Sequence, residues 1–488
     1  MEDELFALQK TNTWVLVLLL ASKNLVGCKW VYKVKTHSDD SLERYKARLV
    51  AKLQEYGIDY EETFAPVAKM TTVRILISIA AIRHWPLYLM DVKNAFLNGH
   101  LTEEVYMRPP LYLPHFSGQV CRLRCTLYGL KQSPCAWYDR FQTAVTELGF
   151  HSSALFLRHT LAGFVALLLY VDDMIITGSD SFAIFEIKQH LFRTFEIKDL
   201  GSLRYFLGIE VASSPKDYFL SQAKYANEVI HRVGLTDTKV SDTPIELNVK
   251  LNSTDGVPLD DPILYRELVG CLVYLTVTRP DLTYVVHVVS QFVSAPLSTN
   301  WAVLVLIFCY LRGTLFQGLL LPFTSFLDLV AYADSDWAGD VTDRKSTYGF
   351  CMFLGDSLIS WKSKKQTVVA RSTAEAEYCA TAHVTAKIVW FCYLLSDLGV
   401  PQSSPISLYC DNCSAIQIAR NTVFHEWTKH IEVDCYFIRH HLQSGSISLP
   451  FVSSVLQLAD FFTKTSTTAQ FQFQFLFGKL SVFSATTS

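Results

Sequence analysis

A mixed α+β fold in more than one domain is what this sequence predicts, and three observations carry the prediction. The chain has 488 residues, 50% hydrophobic and 13% aromatic, enough for two to four packed cores. Short β-branched and aromatic runs end in acidic residues, most clearly Gly163 to Gly178, GFVALLLYVDDMIITG. Residues 326–465 change pattern, to three strand candidates, a long helix, another strand and further helix.

Taken in order, the chain begins with a short amphipathic helix, Glu2 to Lys10. A strand candidate from Gly27 to Lys35, a turn at Asp39-Asp40-Ser41 and a segment from Glu43 to Lys52 make a hairpin. Its cations are Lys29, Lys33, Lys35, Arg44, Lys46, Arg48 and Lys52. Such a row suits a solvated edge, where lysine blunts strand pairing, and equally a grip on phosphates. A helix from Thr71 to His84 follows, and then the apolar run LYLMDVKNAF, which reaches Asp91.

In the Gly163–Gly178 stretch two short strands flank Asp172-Asp173, where the chain must reverse. Adjacent carboxylates between buried strands repel each other and are costly to desolvate unpaired. A polar hairpin turn with solvated aspartates avoids that cost, and a divalent cation removes it. The third carboxylate, Asp91, favours the cation, because a two-metal site needs acids from separate strands.

In residues 326–465 the strand candidates are Leu329–Ala333, Thr347–Phe353 and Leu358–Lys362. A helix runs from Ser372 to Leu398, with Ser372 and Glu375 as a capping box and Gly399 as its stop. A strand at Ile406–Cys410, a short helix and a last helix containing Asp460 complete the pattern. Asp334, Glu377, Asp411 and Asp460 fall at element ends or on the long helix, where two cations could draw them together.

Two other motifs are decoys. Cys410-x2-Cys413-x11-His425-x4-His430 approaches a zinc-finger spacing, but its cysteines flank Asp411. Gly355-Asp356-Ser357-Leu358 spells a hydrolase motif without partner residues, and reads as a turn. The net charge of −3 leaves any phosphate contact to local basic patches. Twelve cysteines scattered through apolar contexts fit a reducing compartment. The apolar runs Trp14–Leu20 and Trp301–Leu311 are too short to span a bilayer.

Tyr170-Val171-Asp172-Asp173-Met174 and Met90-Asp91-Val92-Lys93-Asn94-Ala95-Phe96 resemble the two catalytic motifs of a reverse transcriptase. With Leu127-Tyr128-Gly129-Leu130-Lys131-Gln132-Ser133-Pro134, they resemble the Pol polyproteins of copia-type long-terminal-repeat retrotransposons. The resemblance runs from about Glu4 to Lys464. It implies a right-hand polymerase followed by a connection and an RNase H-like α/β domain. Fingers and palm would occupy 1–195, thumb and connection 196–325, the RNase H-like domain 326–465 and a tail 466–488.

The implied activity is RNA-directed DNA polymerisation joined to ribonuclease H. Asp91, Asp172 and Asp173 would serve the first reaction, and Asp334, Glu377, Asp411 and Asp460 the second. Two Mg2+ ions per active site, with Mn2+ as a substitute, would sit on Asp91 and Asp172 and on the four later acids. Lys46 and Arg48 would meet the triphosphate, and Phe96 would be a steric gate against a ribose 2′-hydroxyl. Lys131 and Gln132 would lie near the incoming base pair, and Lys362, Lys364 and Lys365 would seat the hybrid backbone.

Implied partners are an RNA template, a DNA primer, an RNA–DNA hybrid and deoxynucleoside triphosphates, without a membrane. Capsid, protease and integrase portions of the element are expected elsewhere, and the setting is intracellular, in cytoplasmic particles or the nucleus. Four departures from the family pattern leave a second reading open, an inactive relic with residual nucleic-acid binding. They are the short Leu53-Gln54 junction, Cys135 and Trp427 where arginine is usual, and an apolar face on Trp301–Arg312.

Overall fold

The computed structural model describes residues 2–19, 23–36, 42–57, 59–61, 63–151, 155–234, 239–247, 249, 251–252, 254–421, 431–465 and 482–484. They divide into two units, Met1–Lys69 with Pro86–Leu203, and Met70–Trp85 with Arg204–Ser488. The Asp39-Asp40-Ser41 turn, Trp427, His425 and His430 lie outside the described residues.

The first unit is built on an antiparallel five-stranded sheet. Its strands, in spatial order, are Ile197–Ser202, Leu87–Val92, Asp173–Gly178, Phe164–Tyr170 and Leu155–His159. Phe164 to Leu169 are buried without a break, so both faces of that strand are covered and no polar alternation is needed. Trp137 and Phe141, from the helix Ser133–Thr146, pack with Leu167, Ile176 and Ile187. Ile187 lies on the helix Ser181–Thr194, which Asp180 caps by accepting a hydrogen bond from Ala183 N at 2.9 Å.

The basic hairpin forms from Gly27–Thr36 and Leu42–Lys52. The apolar run at Trp14–Leu18 becomes an outer strand paired with Gln119–Leu123, which pairs in turn with Tyr106–Met107. Gly129 has φ +90°, and a Cβ there would lie 2.5 Å from Ala51 O. Its bare backbone lets Tyr128 O accept from Ala51 N at 2.8 Å.

In the second unit the helix Met70–Ile82 is buried on every side from Thr72 to Ala81, which explains its all-round apolarity. The helix Ser298–Gly313 likewise buries Val303, Leu304, Ile307 and Phe308, so much of its apolar face is core. One five-stranded sheet orders Tyr205–Phe206, Ile209–Ser213, Asp217–Ser221, Gln317–Pro322 and Val482–Ser484. The other orders Ser357–Lys365, Thr347–Leu354, Leu329–Ser335, Ile406–Tyr409 and Ile447–Ser448. Its first two pairings are antiparallel and its last two parallel.

The helix Thr373–Asp397 crosses this sheet. By length and composition alone it could cross a membrane, yet its most apolar stretch is 50% buried within the unit. Ser372 Oγ caps it by accepting from Glu375 N at 3.3 Å. The box is not reciprocal, because Glu375 Oε2 accepts instead from Arg371 N at 2.8 Å. One further reading needs correction here. Asp460 sits on a 3-10 turn, Leu458–Phe462, too short for an α-helix. The late helix is Glu432–Gln443, in which Cys435 and Ile438 are buried.

Candidate active sites

In the first unit strand pairing brings the acids together. Asp91 is paired in register with Asp173, and Val92 N donates to Asp172 O at 2.8 Å. Tyr170 pairs with Asp173, leaving Val171 and Asp172 as a two-residue hairpin loop. The first position of such a loop calls for positive φ, and Val171 takes φ 56°. For a β-branched residue that costs about 1–3 kcal/mol, so something must hold it. Trp137 Nε1 donates to Val171 O at 2.6 Å. The indole is itself fixed, edge-on to Phe195 at 5.2 Å. This residue was missed by sequence reading, since its role depends on a partner 34 residues away.

Asp91 and Asp172 line a cavity of about 820 Å³ with Lys46 and Arg48. Burial raises the Asp91 pKa, and the Asp172 charge raises it further. Asp173 is pushed up to about 6 by burial, then by Asp172 and Asp91. Arg48 stacks over the Tyr128 ring at 3.7 Å, and Tyr128 also meets Phe96 edge-on at 5.3 Å. The acidic helix Glu2–Lys10 sends Asp3 and Glu4 to the same cavity. Burial lifts the Glu4 carboxyl and lowers the Arg48 guanidinium, and their mutual attraction opposes both shifts.

Lys131 is exposed and Gln132 is buried, and neither lines this cavity. Gln132 Nε2 donates to Asp59 O at 2.9 Å, and its Oε1 accepts from Gln54 Nε2 at 2.9 Å. Gln54 Oε1 accepts in turn from Lys131 N at 2.7 Å. The short Leu53-Gln54 junction is therefore tied to this segment. Cys135 is half-buried.

In the second unit Asp334 ends a central strand, Glu377 lies one turn into the long helix, and Asp411 follows the parallel strand Ile406–Tyr409. Among the described residues, carboxylate oxygens of Asp334, Asp411 and Asp460 lie within 4.8 Å of one another. Glu377, Cys410 and Asp411 form a second such group. Asp91, Asp172 and Asp173 are not among these groups.

Asp334 accepts from Thr463 Oγ1, and Asp411 Oδ2 accepts from Ser454 Oγ at 2.6 Å. Glu377 Oε1 accepts from Ser335 N at 3.3 Å. Burial, then Asp334 and Asp411, drives the Glu377 pKa far above the carboxylate range. Asp460 is raised by burial and Asp334 while Lys464, 2.8 Å away, opposes the shift. Asp336, in the same motif as Asp334, is pushed up to about 6 by burial and by Asp334.

Whether the cluster suits a divalent cation is decided by two atoms. Glu377 Oε2 and Asp460 Oδ1 are buried with no hydrogen-bond partner among the described residues. Hard oxygen donors left unpaired beside other carboxylates are what such a cation satisfies, and the residues fit one. Cys410 is buried against this cluster and Cys413 is exposed at the start of the helix Cys413–Arg420. Gly355 turns with φ +57° between paired strands.

Residues 11–247 match the family described as Reverse transcriptase (RNA-dependent DNA polymerase). The retrovirus-related Pol polyprotein from transposon RE2 of Arabidopsis thaliana is 43% identical over 484 residues, 97% of this chain and 33% of that one. The corresponding polyprotein from transposon TNT 1-94 of Nicotiana tabacum is 38% identical over 482 residues, 95% and 36% of the two chains. This chain thus spans about one third of the length of these curated relatives. Among solved structures, a foamy viral protease-reverse transcriptase in complex with RNA/DNA hybrid aligns with TM-score 0.47 and 12% identity. It covers 95% of this chain and 54% of that one.

Proposed function

Since the chain belongs to the retrovirus-related Pol polyproteins of copia-type transposons, and residues 11–247 to the reverse transcriptase family, we propose that it is an RNA-directed DNA polymerase with ribonuclease H activity. One observation supports the reading above others: Asp91 and Asp172 share a cavity of about 820 Å³ with Lys46 and Arg48. Acids and cations lining one cavity suit a triphosphate bound through a metal. Its occupants would be a deoxynucleoside triphosphate, an RNA template and a DNA primer.

Magnesium, held by Asp91 and Asp172 and separately by Asp334, Glu377, Asp411 and Asp460, would activate the attacking oxygen and neutralise phosphate charge, with manganese as a substitute. Lys46 and Arg48 bind the phosphates, and Tyr128 holds the Arg48 plane. Phe96, braced on Tyr128, blocks a ribose 2′-hydroxyl. Asp173 assists Asp91 from its paired position. In the second unit, the strand order and the four acids suit an RNase H-like domain acting on an RNA–DNA hybrid. There the 2′-hydroxyl marks the strand to be cut.

Primer extension on an RNA template with magnesium tests the proposal. The parent chain should extend the primer, and Asp172→Asn should lose at least about a hundredfold. Equal signals from both proteins would reduce the chain to the inactive relic.

A further inference from the structure

Arg74 is an unusual buried cation. It is 7% exposed, and no carboxylate among the described residues pairs with it. Nε donates to Ile359 O at 2.9 Å, Nη1 to Val277 O at 2.6 Å and Nη2 weakly to Thr71 Oγ1 at 3.4 Å. The guanidinium lies over the Trp361 ring at 4.0 Å. A guanidinium has five N–H donors, so two remain uncommitted among the described residues. Carbonyls and a ring face solvate the group but leave its charge uncompensated, and burial holds its pKa down to about 9.

Arg74 borders a cavity of about 350 Å³, all within the second unit, and the other polar groups on its wall match. Lys362 lines it without a carboxylate partner among the described residues. Ser363 Oγ, in a residue 7% exposed, and Thr283 Oγ1 have no hydrogen-bond partner there, nor does His287 Nε2. The charges on His287 come from Lys365, Lys362 and Lys364, all positive. The wall thus offers donors and positive charge, with no acid among the described residues that line it.

We propose that this cavity is a phosphate-binding pocket, with Arg74 and Lys362 supplying charge and Ser363, Thr283 and His287 supplying hydrogen bonds. Its phosphate comes either from the backbone of a bound nucleic acid or from a free phosphate ion. The backbone source rests on the proposed action on an RNA–DNA hybrid; the free ion does not.

The test uses the full chain, with Lys362→Gln, whose side chain is exposed and whose melting temperature should match the parent's, and Ser363→Ala. Broadening of the phosphorus resonance of inorganic phosphate reads the pocket directly. The parent should broaden it, and Lys362→Gln should bind phosphate about tenfold more weakly. Hybrid affinity against salt reads the backbone source, and Lys362→Gln should lower the slope by about one. A fall in phosphate affinity with an unchanged slope assigns the pocket to the free ion. No broadening by the parent, or broadening indifferent to both substitutions, overturns the pocket. Neither readout needs catalysis. Phosphate binding that survives in a chain unable to extend primers or cut hybrids therefore overturns the catalytic reading alone.

Discussion

The two acid clusters solve the same electrostatic problem in opposite ways. In the first unit Asp91 and Asp172 border an open cavity and face Lys46 and Arg48, so water and cations share the compensation. In the second, Asp334 and Glu377 are 4% and 3% exposed, and two carboxylate oxygens have no partner among the described residues. Beyond the Lys464–Asp460 pair, repulsion there is relieved by holding protons or by taking up a cation.

The sharpest way to break the comparison is to silence each cluster alone. Asp411→Asn should cut hybrid cleavage at least about a hundredfold and leave primer extension intact, while Asp172→Asn should do the reverse. Loss of both activities from either substitution would mean the sites are not independent.

Glu377→Gln separates stability from function. It replaces a side chain that the metal-free fold must keep protonated beside Asp334 and Asp411, and glutamine needs no such proton uptake, so the metal-free protein should melt about 2–4 °C higher per kcal/mol relieved. Hybrid cleavage should be lost at the same time. A lower melting temperature would show that the carboxylate is held by contacts rather than opposed by them.

The pH dependence of metal-free stability follows from Asp173 and Asp336, both raised to about 6. Between their ordinary value and about 6 the folded chain holds protons that the unfolded chain has lost. Their contribution is therefore present at low pH and disappears as pH rises through about 6. Melting in a chelator should carry this downward component. Magnesium should reduce it, and substituting both aspartates by asparagine should shrink it, leaving the share of Asp91, Asp460 and Glu377.

The smallest effect is expected at Trp137. Trp137→Phe keeps the ring but deletes the donor to Val171 O. Primer-extension kcat should fall about tenfold with KM for the deoxynucleotide near the parent's, and hybrid cleavage should not change. A purely structural role would lower both activities together with the melting temperature.

Much of this was legible in the residues themselves. The run Phe164–Tyr170 into Asp172-Asp173, the Asp91 strand and the basic hairpin announce themselves through composition and period, which local sterics and burial enforce. So do the strands carrying Asp334 and preceding Asp411 and the helix carrying Glu377. Asp460 was readable as an acid but not as part of a 3-10 turn, because a five-residue element has no period to detect.

Sequence alone determined which acids exist and which strands and helix carry most of them. Only the tertiary structure decided that Gln132 would be spent on Gln54 and Asp59, and that Trp137 would hold the Val171 turn. Among the described residues, it alone left Arg74 buried without an acid and Glu377 with an unpaired oxygen. The physical reason is range. Backbone preference acts over a few residues, whereas compensation of a buried charge or donor depends on groups the fold brings from far along the chain.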